Sequence, residues 1–160
     1  MRSPFEDLEI DGALVSEFFA VFARFEYAMK ASHYCKSDQW NNAVPDWPAL
    51  KQNLGPTLEN TTDRDLRRAM EFLLDAPPLV QKCVDGAPNF QVVPLAGNSK
   101  GAKVLNAAKR VRNNLFHGGK HTPHSPPARD TELIEAALCV LQHCLEMDQE
   151  LAGEYGHQIV

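Results

Sequence analysis

The sequence predicts a single all-α domain over residues 1–160, a bundle of four to five helices with its core at about 11–155. Apolar residues recur at three- and four-residue steps through several long segments, which is the spacing of an amphipathic helix. Residues that break helices gather in two stretches, about 37–60 and 118–129, which we expect to be loops. No internal repeat indicates a second domain. The pattern therefore favours one helical core interrupted by two loops.

The first predicted helix is long and covers residues 11–36, with Asp11 as its N-cap. Its apolar stripe consists of Leu14, Phe18, Phe22, Phe25 and Met29. The Asn-, Pro- and Trp-rich stretch 37–60 then breaks the pattern. Within it we expect only a short helix at Trp47–Asn53, opened by Pro45 and Pro48.

A second clear helix is predicted at residues 63–76, capped by Thr61 or Thr62 and ended by two prolines. Its apolar face consists of Leu66, Met70, Leu73 and Leu74. Residues 79–98 are expected to be irregular. Residues 90–93 favour a short extended piece there, but nothing in the segment predicts a sheet.

Two further helices complete the predicted bundle. The first runs from Ser99 to His117 and is closed by Gly118 and Gly119, since glycine readily adopts the left-handed conformation that ends many helices. Its apolar face consists of Val104, Leu105, Ala108, Val111, Leu115 and Phe116. The last helix is predicted at about Asp130–Tyr155. Its inward residues are Leu133, Ala137, Val140, Leu141, Cys144, Met147 and Leu151.

Composition indicates an ordinary soluble protein, 44% hydrophobic and 23% charged. No apolar run approaches the roughly 20 residues that cross a membrane, and the N-terminus carries acids where a signal peptide carries bases. We therefore expect a cytoplasmic protein. The four cysteines form no CxxC pair, so we expect buried free thiols in preference to a disulfide or a zinc site.

The net charge of −5 conceals a strong asymmetry along the chain. Residues 86–129 contain seven Lys or Arg and no acid, whereas the remaining residues carry nine bases and all 21 acids. The split is thus +7 against −12. One interpretation is a local phosphate-binding surface on an acidic protein. The other is a basic face that pairs with the acidic remainder or with a partner subunit.

Two charged residues occupy positions where the helical pattern expects apolar ones. Glu26 lies four residues after Phe22 on the first apolar stripe, and Arg112 lies four residues after Ala108 on another. Because an unpaired buried charge is costly, we predict a Glu26–Arg112 ion pair or a shared polar pocket. The alternative is that each side chain reaches outward to water, which Arg does more easily than Glu.

His117 follows Arg112 by five residues, about 140° around the helix axis and about 7.5 Å along it, so both can border one cleft. The end of a helix favours a protonated imidazole, which suits acid–base chemistry near neutral pH. Asn113 and Asn114 are weak helix formers whose amides can hold a phosphate or orient the histidine. The alternative for a histidine in this position is a simple helix C-cap.

Residues 112–118, RNNLFHG, resemble the signature of the HEPN superfamily of nucleases, an Arg followed after four to six residues by His. Here the spacing is four, and Asn113 fills the polar position after the Arg. The segments FFAVFARFEYAMK, FLLDAPPLVQ and RVRNNLFHGGK resemble blocks of a bacterial HEPN group. The resemblance touches most of the chain from about 14 to 150, loosely outside the motif.

The resemblance implies a HEPN-like helical domain that dimerises by bringing two R-x4-H helices together into one composite site. It also implies RNA cleavage without a metal or other cofactor, and a role as a toxin or antiviral-defence effector with a possible antitoxin or regulatory partner. Some HEPN toxins carry a tyrosine two residues after the histidine, where a partner modifies them. This chain has Gly119 there, so regulation by tyrosine modification is not expected.

In this hypothesis the catalytic residues are Arg112, Asn113 and His117, supported from behind by Glu26 and Asn114. Two His117 copies serve as base and acid, and two Arg112 copies clamp the phosphate. RNA cleaved in this way ends in a 2′,3′-cyclic phosphate. Candidates for contact with the RNA backbone are Lys109, Arg110, Lys120 and His121. For any one of these four the alternative is ordinary solvated surface.

Two other functions compete with the nuclease. One is a non-catalytic HEPN-like module that binds RNA, a nucleotide or a protein, although such members have usually lost the Arg or the His. The other is a metal site at His117, His121 and His124, whose spacings resemble those of metal ligands. The two glycines that follow His117 and the lack of a nearby Cys or acid disfavour the metal site.

Overall fold

A computed structural model describes residues 9–116 and 126–156 of the chain. In this part the chain forms six helices and two antiparallel two-stranded hairpins. In order they are α1 (Gly12–Ala31), β1 (Cys35–Ser37), β2 (Ala43–Pro45), α2 (Trp47–Glu59), α3 (Arg64–Asp75), β3 (Val80–Val84), β4 (Ala87–Gln91), α4 (Lys100–Phe116), α5 (Pro127–Met147) and α6 (Gln149–Gly156). The mostly helical architecture is confirmed. A purely all-α fold of four to five helices is wrong.

Helix α1 begins as predicted, because the Asp11 carboxylate accepts a hydrogen bond from the amide of Ala13 at 2.9 Å. It ends five residues earlier than predicted. Ser32 is extended and its hydroxyl donates to the carbonyl of Met29, which satisfies a free carbonyl of the last turn. The following residues pair as strands, with Cys35 opposite Pro45. Pairing with β2 thus competes successfully with continuation of the helix.

The short helix predicted at Trp47–Asn53 is confirmed, but α2 runs on to Glu59, so the predicted loop 37–60 is wrong over residues 54–59 and at the strand β2. Asp46 caps the helix through the amide of Ala49, and the proline of the first turn needs no amide partner there. The extra turns are retained because Leu54 and Leu58 are buried in the core. The tertiary packing therefore outweighs the glycine and proline inside this helix.

Helix α3 is capped by Asp63 and not by a threonine. The Asp63 carboxylate accepts from the amide of Leu66 at 2.8 Å, while the Thr61 hydroxyl accepts from the amide of Asp63 at 3.1 Å. The hydrogen bond that the carboxylate accepts from the Leu66 amide holds the pKa of the Asp63 carboxyl below its usual value.

The β3–β4 hairpin contradicts the expectation that residues 79–98 build no sheet. Asp85 and Gly86 both have positive φ, 51° and 77°, which matches the two-residue turns that twist in the same sense as the strands. Most residues of the two strands are exposed, so no apolar alternation marked them in the sequence. In the sequence, the Asp85–Gly86 turn indicates this hairpin, whereas the apolar pattern of its strands does not.

The single long C-terminal helix that was predicted is two helices, α5 and α6. The break lies at Asp148, whose backbone is extended (φ −132°, ψ 106°). Its carboxylate accepts from the amide of Leu151 at 3.0 Å and so caps α6. The apolar pattern continues across the break because Leu151 still enters the core.

The buried side chains form one cluster to which all six helices contribute. Most predicted core residues belong to it, but Leu14, Leu74 and Met147 are only partly buried, and Phe116 is 48% exposed. All four cysteines are free, yet Cys35 and Cys83 are exposed, so the expectation of buried thiols holds only for part of the set. None of the described helices is long and apolar enough to span a membrane.

Helix α4 is positioned by a close approach to α2. A Cβ atom on Gly101 would lie 2.0 Å from the carbonyl oxygen of Gly55, a distance no side chain tolerates. The two backbones therefore touch where both helices carry glycine. This contact fixes the N-terminal half of α4, and through it the polar residues that follow along the same helix.

Candidate functional site

Glu26 of α1 and Arg112 of α4 form the predicted ion pair. The Arg112 Nη2 donates to the Glu26 carboxylate at 2.5 Å, and the two side chains are only 25% and 17% exposed. The predicted ion pair between Glu26 and Arg112, each of which interrupts an apolar stripe, is confirmed. In this partly dry setting a charge-assisted hydrogen bond is stronger than its counterpart in water.

The same carboxylate also binds the buried indole of Trp47. The Trp47 Nε1 donates to the second oxygen of Glu26 at 3.0 Å. The indole ring stacks on Phe22 and Phe25 of α1, with centroid distances of 5.6 and 6.0 Å. Glu26 thus joins α1 to α2 and to α4, and its orientation is fixed from both sides.

Aromatic rings hold the guanidinium of Arg112. Its Cζ lies 5.2 Å from the ring centroid of Phe22 and 5.0 Å from that of Phe116, which itself packs edge-on against Phe19. These are favourable cation–π distances. The exposure of Phe116, which its apolar pattern did not predict, is explained by its place over the Arg112 side chain at the edge of the core.

Asn113 is the second partner of Arg112. The Arg112 Nη1 donates to the Asn113 Oδ1 at 2.9 Å. Two of the five guanidinium N–H donors are therefore bonded to side chains of the described residues. The Nε of Arg112 is buried and has no hydrogen-bond partner within 9–116 and 126–156.

The predicted support of the catalytic residues by Asn114 stays a prediction, and Asn114 also makes a structural contact. It is buried, and its Nδ2 donates to the carbonyl of Leu79 at 2.9 Å, which fastens α4 to the chain entering β3. A small pocket of about 190 Å³ lies beside it. The pocket is lined by Leu79, Val80, Gln81, Arg110, Asn113 and Asn114.

The two described candidates for RNA contact, Lys109 and Arg110, differ in their surroundings. The Lys109 Nζ lies 5.6 Å from the ring of Trp47, and burial lowers the pKa of its amine, although the charge of Glu26 acts in the opposite direction. Both Nη atoms of Arg110 donate to backbone carbonyls, those of Val93 and Pro94, each at 2.6 Å. Arg110 therefore anchors the segment after β4 to α4. Contact of either residue with RNA stays a prediction.

The remaining predicted site residues, His117, Lys120 and His121, lie outside the described residues, as does His124 of the alternative metal site. Helix α4 is described through Phe116, the residue directly before His117. Within the described ranges no group of three or more His, Cys, Asp or Glu side chains is arranged to hold a metal ion.

Three residues near the ion pair escaped the sequence analysis: Trp47, Lys51 and Lys36. Trp47 was treated only as the start of a short helix, although its indole N–H needs a partner when buried. Lys51 lies one turn after Trp47 on α2, and Lys36 forms an ion pair with Asp46 at 3.4 Å. These residues lie in two elements, β1 and α2, apart from the R-x4-H helix, so no local motif revealed them.

The chain matches no protein-family model, no curated protein and no solved structure. The resemblance to the HEPN superfamily therefore depends on the R-x4-H motif and the surrounding residue pattern alone.

Proposed function

We propose that the protein is a metal-independent endoribonuclease that acts as a homodimer with a composite R-x4-H site. The observation that carries the proposal is the Glu26–Arg112 ion pair, which lies among aromatic rings near the end of α4. His117 follows in the sequence five residues after Arg112. A guanidinium fixed in this way costs no reorganisation when it binds a phosphate, which is how a catalytic cation gains its effect.

The proposed reaction uses the ribose of the substrate as its nucleophile. One His117 copy takes the proton of the 2′-hydroxyl, and the 2′-oxygen forms a bond to the phosphorus. The bond between phosphorus and the 5′-oxygen breaks, and the His117 of the second copy donates a proton to that leaving oxygen. The products are a 2′,3′-cyclic phosphate and a 5′-hydroxyl.

Arg112 is assigned the phosphate, because its planar fork matches two phosphate oxygens and stabilises the charge that accumulates on them. Asn113 already bonds to Arg112 and is assigned the orientation of the guanidinium or of the phosphate. Glu26 is a positioning residue, since it contacts Arg112 and Trp47 and lies behind them. These roles require no metal ligand from the chain.

The biological role that accompanies this chemistry is that of a toxin or antiviral-defence effector that stops growth by cutting RNA inside the cytoplasm. This role follows the resemblance, as does a possible antitoxin or regulatory partner. The acid-free segment 86–129 supports an RNA substrate, because seven bases without a single acid make this stretch of an otherwise acidic chain positively charged.

The test is cleavage of a mixed RNA pool in EDTA by wild type, Arg112→Lys and His117→Gln. We expect cyclic-phosphate products from wild type. We expect a loss of about 100-fold or more in each variant, since Lys lacks the bidentate fork and Gln cannot exchange the proton. His33→Gln, which removes an exposed histidine that pairs with Glu150, is the matched control and should cleave like wild type.

Oligomeric state and folding keep that test interpretable. Light scattering should give the mass of two chains, and circular dichroism should show unchanged helix content in all variants. A monomeric protein that cleaves RNA would contradict the composite site but not the nuclease. Activity that survives in folded His117→Gln would contradict the assignment of the acid and the base.

A second candidate function is a non-catalytic HEPN-like module that binds RNA, a nucleotide or a protein. The observation in its favour is that Arg112 joins α1 to α4 through Glu26, Phe22 and Phe116, a contact that stabilises the fold whether or not a substrate binds. A folded, dimeric wild type that binds RNA in EDTA and never cleaves it would select this function.

A further inference from the structure

A series of cationic side chains leads away from Arg112 across three elements of the fold. We call Arg112, Lys109, Lys51 and Lys36 the basic strip. The geometry points to the basic strip as the path of a single-stranded RNA backbone, with one base stacked on Trp40 at the tip of the β1–β2 hairpin. This inference rests on the proposed function, because it extends the RNA from the site of cleavage to a second contact region.

Contacts between neighbouring elements connect the members of the strip. Lys109 lies one turn before Arg112 on α4, and its Nζ lies over the ring of Trp47. Lys51 lies one turn after Trp47 on α2. Lys36 of β1 pairs with Asp46, the residue directly before Trp47, at 3.4 Å. Lys109 lies over the Trp47 indole and interacts electrostatically with both Lys51 and Lys36, so it is the member that connects the α4, α2 and hairpin cations.

The strip has more positive charge than its acids neutralise. Among the described residues, Arg112 pairs with Glu26 and Lys36 pairs with Asp46. Lys109 and Lys51 form no ion pair with a described residue, and both are partly buried. Burial lowers the pKa of each amine, and neighbouring cations lower it further: Lys109 and Arg110 act on Lys51, and Arg112 and Lys36 act on Lys109, against the opposing charge of Glu26. Like charges held together at a cost to the fold are expected where a polyanion binds.

The β1–β2 hairpin, which carries Lys36, also carries an exposed aromatic ring at its tip. Trp40, four residues after Lys36, is 73% exposed. Hydrogen bonds hold its loop, because the Asp38 carboxylate accepts from the amides of Trp40 and Asn42 at 2.9 and 2.8 Å and from the Asn42 side chain at 3.0 Å. A large apolar ring held out in water on a fixed loop is a suitable platform for a nucleobase.

The combination favours RNA over an acidic protein as the occupant. Cations along a strip bind any chain of phosphates or carboxylates, whereas an isolated exposed indole adds affinity for a flat base, on whose π-face it stacks. A single strand is required, since bases inside a duplex are already stacked on each other. The strip therefore binds phosphates, and Trp40 accounts for the preference for unpaired bases.

The test is binding of a 2′-O-methyl RNA oligonucleotide of about twelve nucleotides, which cannot be cleaved through its 2′-oxygen. Lys36→Gln/Lys51→Gln should weaken binding about tenfold or more at an ionic strength of about 0.15 M. The salt dependence should also become less steep by about 1.4, because each lost phosphate contact of a single strand accounts for about 0.7. Arg64→Gln/Arg68→Gln removes the same charge from exposed positions of α3 and is the matched control. Equal binding by the two double variants would overturn the strip.

Trp40 has its own test in the same titration. The chain has two tryptophans, and Trp47 is buried, so quenching of intrinsic fluorescence on binding should come mainly from Trp40. Trp40→Ala should lose about fivefold or more in affinity, and Trp40→Phe should restore most of it. Wild-type affinity in Trp40→Ala would overturn the stacking contact. Poly-glutamate that competes as well as the oligonucleotide would overturn the RNA assignment in favour of an acidic protein.

These outcomes separate the strip from the proposed nuclease. If the strip substitutions weaken RNA binding and wild type never cleaves RNA, the strip is supported and the nuclease is contradicted. If wild type cleaves RNA and every strip variant keeps wild-type affinity, the nuclease is supported and the strip is contradicted.

Discussion

The two halves of α4 are built on opposite principles. The N-terminal half, before Lys109, packs small and apolar side chains against α2 and brings Gly101 into backbone contact with Gly55. The C-terminal half carries Lys109, Arg112 and Asn114 in places that are partly or fully buried. The N-terminal half is dominated by close packing, with one buried amide oxygen, Asn106 Oδ1, that has no partner among the described residues. The C-terminal half retains several charge and amide groups where burial penalises them.

The difference is the one that the proposed function leads us to expect. Apolar residues at the C-terminal positions would have packed without ion pairs, and a buried ion pair is seldom more stable than a well-packed apolar contact. Keeping the polar groups has visible costs: within the described residues the Nε of Arg112 is buried without a hydrogen-bond partner, and burial lowers the pKa of Lys109. Such costs are typical of sites that bind or transform a ligand.

Gly101→Ala should disturb the packed half most. A Cβ at this position would lie 2.0 Å from the Gly55 carbonyl oxygen, so the two helices must separate. We expect the free energy of unfolding to fall by about 3 kcal/mol in urea titration, even though alanine is the better helix former. Gly153→Ala is the control and should be neutral or slightly stabilising, because in α6 the new Cβ would meet no described atom within 4 Å outside the helix's own backbone and the adjoining residues. Equal stability of the two variants would contradict the close helix contact.

Glu26→Ala should have a smaller but clear effect on the polar half. It leaves the largely buried Arg112 without its carboxylate and the Trp47 indole without its acceptor. We expect a loss of about 2 kcal/mol in the free energy of unfolding. Glu17→Ala, at an exposed position of the same helix, should change stability by less than about 0.5 kcal/mol. A stability loss in Glu26→Ala no larger than in the control would mean that the pair does not hold the helices together.

Of the three substitutions, Lys109→Met should change the free energy of unfolding least. It should weaken RNA binding without destabilising the fold. Methionine keeps the apolar stem over Trp47 and removes an amine whose charged form burial disfavours. The free energy of unfolding should stay within about 0.5 kcal/mol of wild type, while affinity for single-stranded RNA falls. A variant that loses stability but keeps wild-type RNA affinity would assign Lys109 to the packed half.

The sequence predicted helix content well and helix ends poorly. Stripes such as that of Phe18, Phe22 and Phe25 identify a helix because burial repeats with its period. The end of α1, the length of α2 and the break at Asp148 depend on capping and on strand pairing, which the apolar pattern does not record. The exposed β3–β4 hairpin lacked an apolar face altogether.

At the site, the sequence revealed the charges that violated a pattern and missed those that did not. Glu26 and Arg112 stand out because each interrupts an apolar stripe, and their pairing is confirmed. Trp47 fits a core pattern, and Lys36 and Lys51 fit an ordinary surface, so the sequence indicated a functional role for none of the three. Only the packing of α2 against α4, and of the β1–β2 hairpin against α1, brings these residues together.

The most direct test of the central claim is whether wild type cleaves an RNA pool in EDTA and leaves the 2′-O-methyl form of the same sequences intact. We expect cleavage of the unmodified RNA alone, with 2′,3′-cyclic phosphate ends. Cleavage of both forms would contradict attack by the 2′-hydroxyl. A folded, dimeric protein that cuts neither form would contradict the nuclease itself.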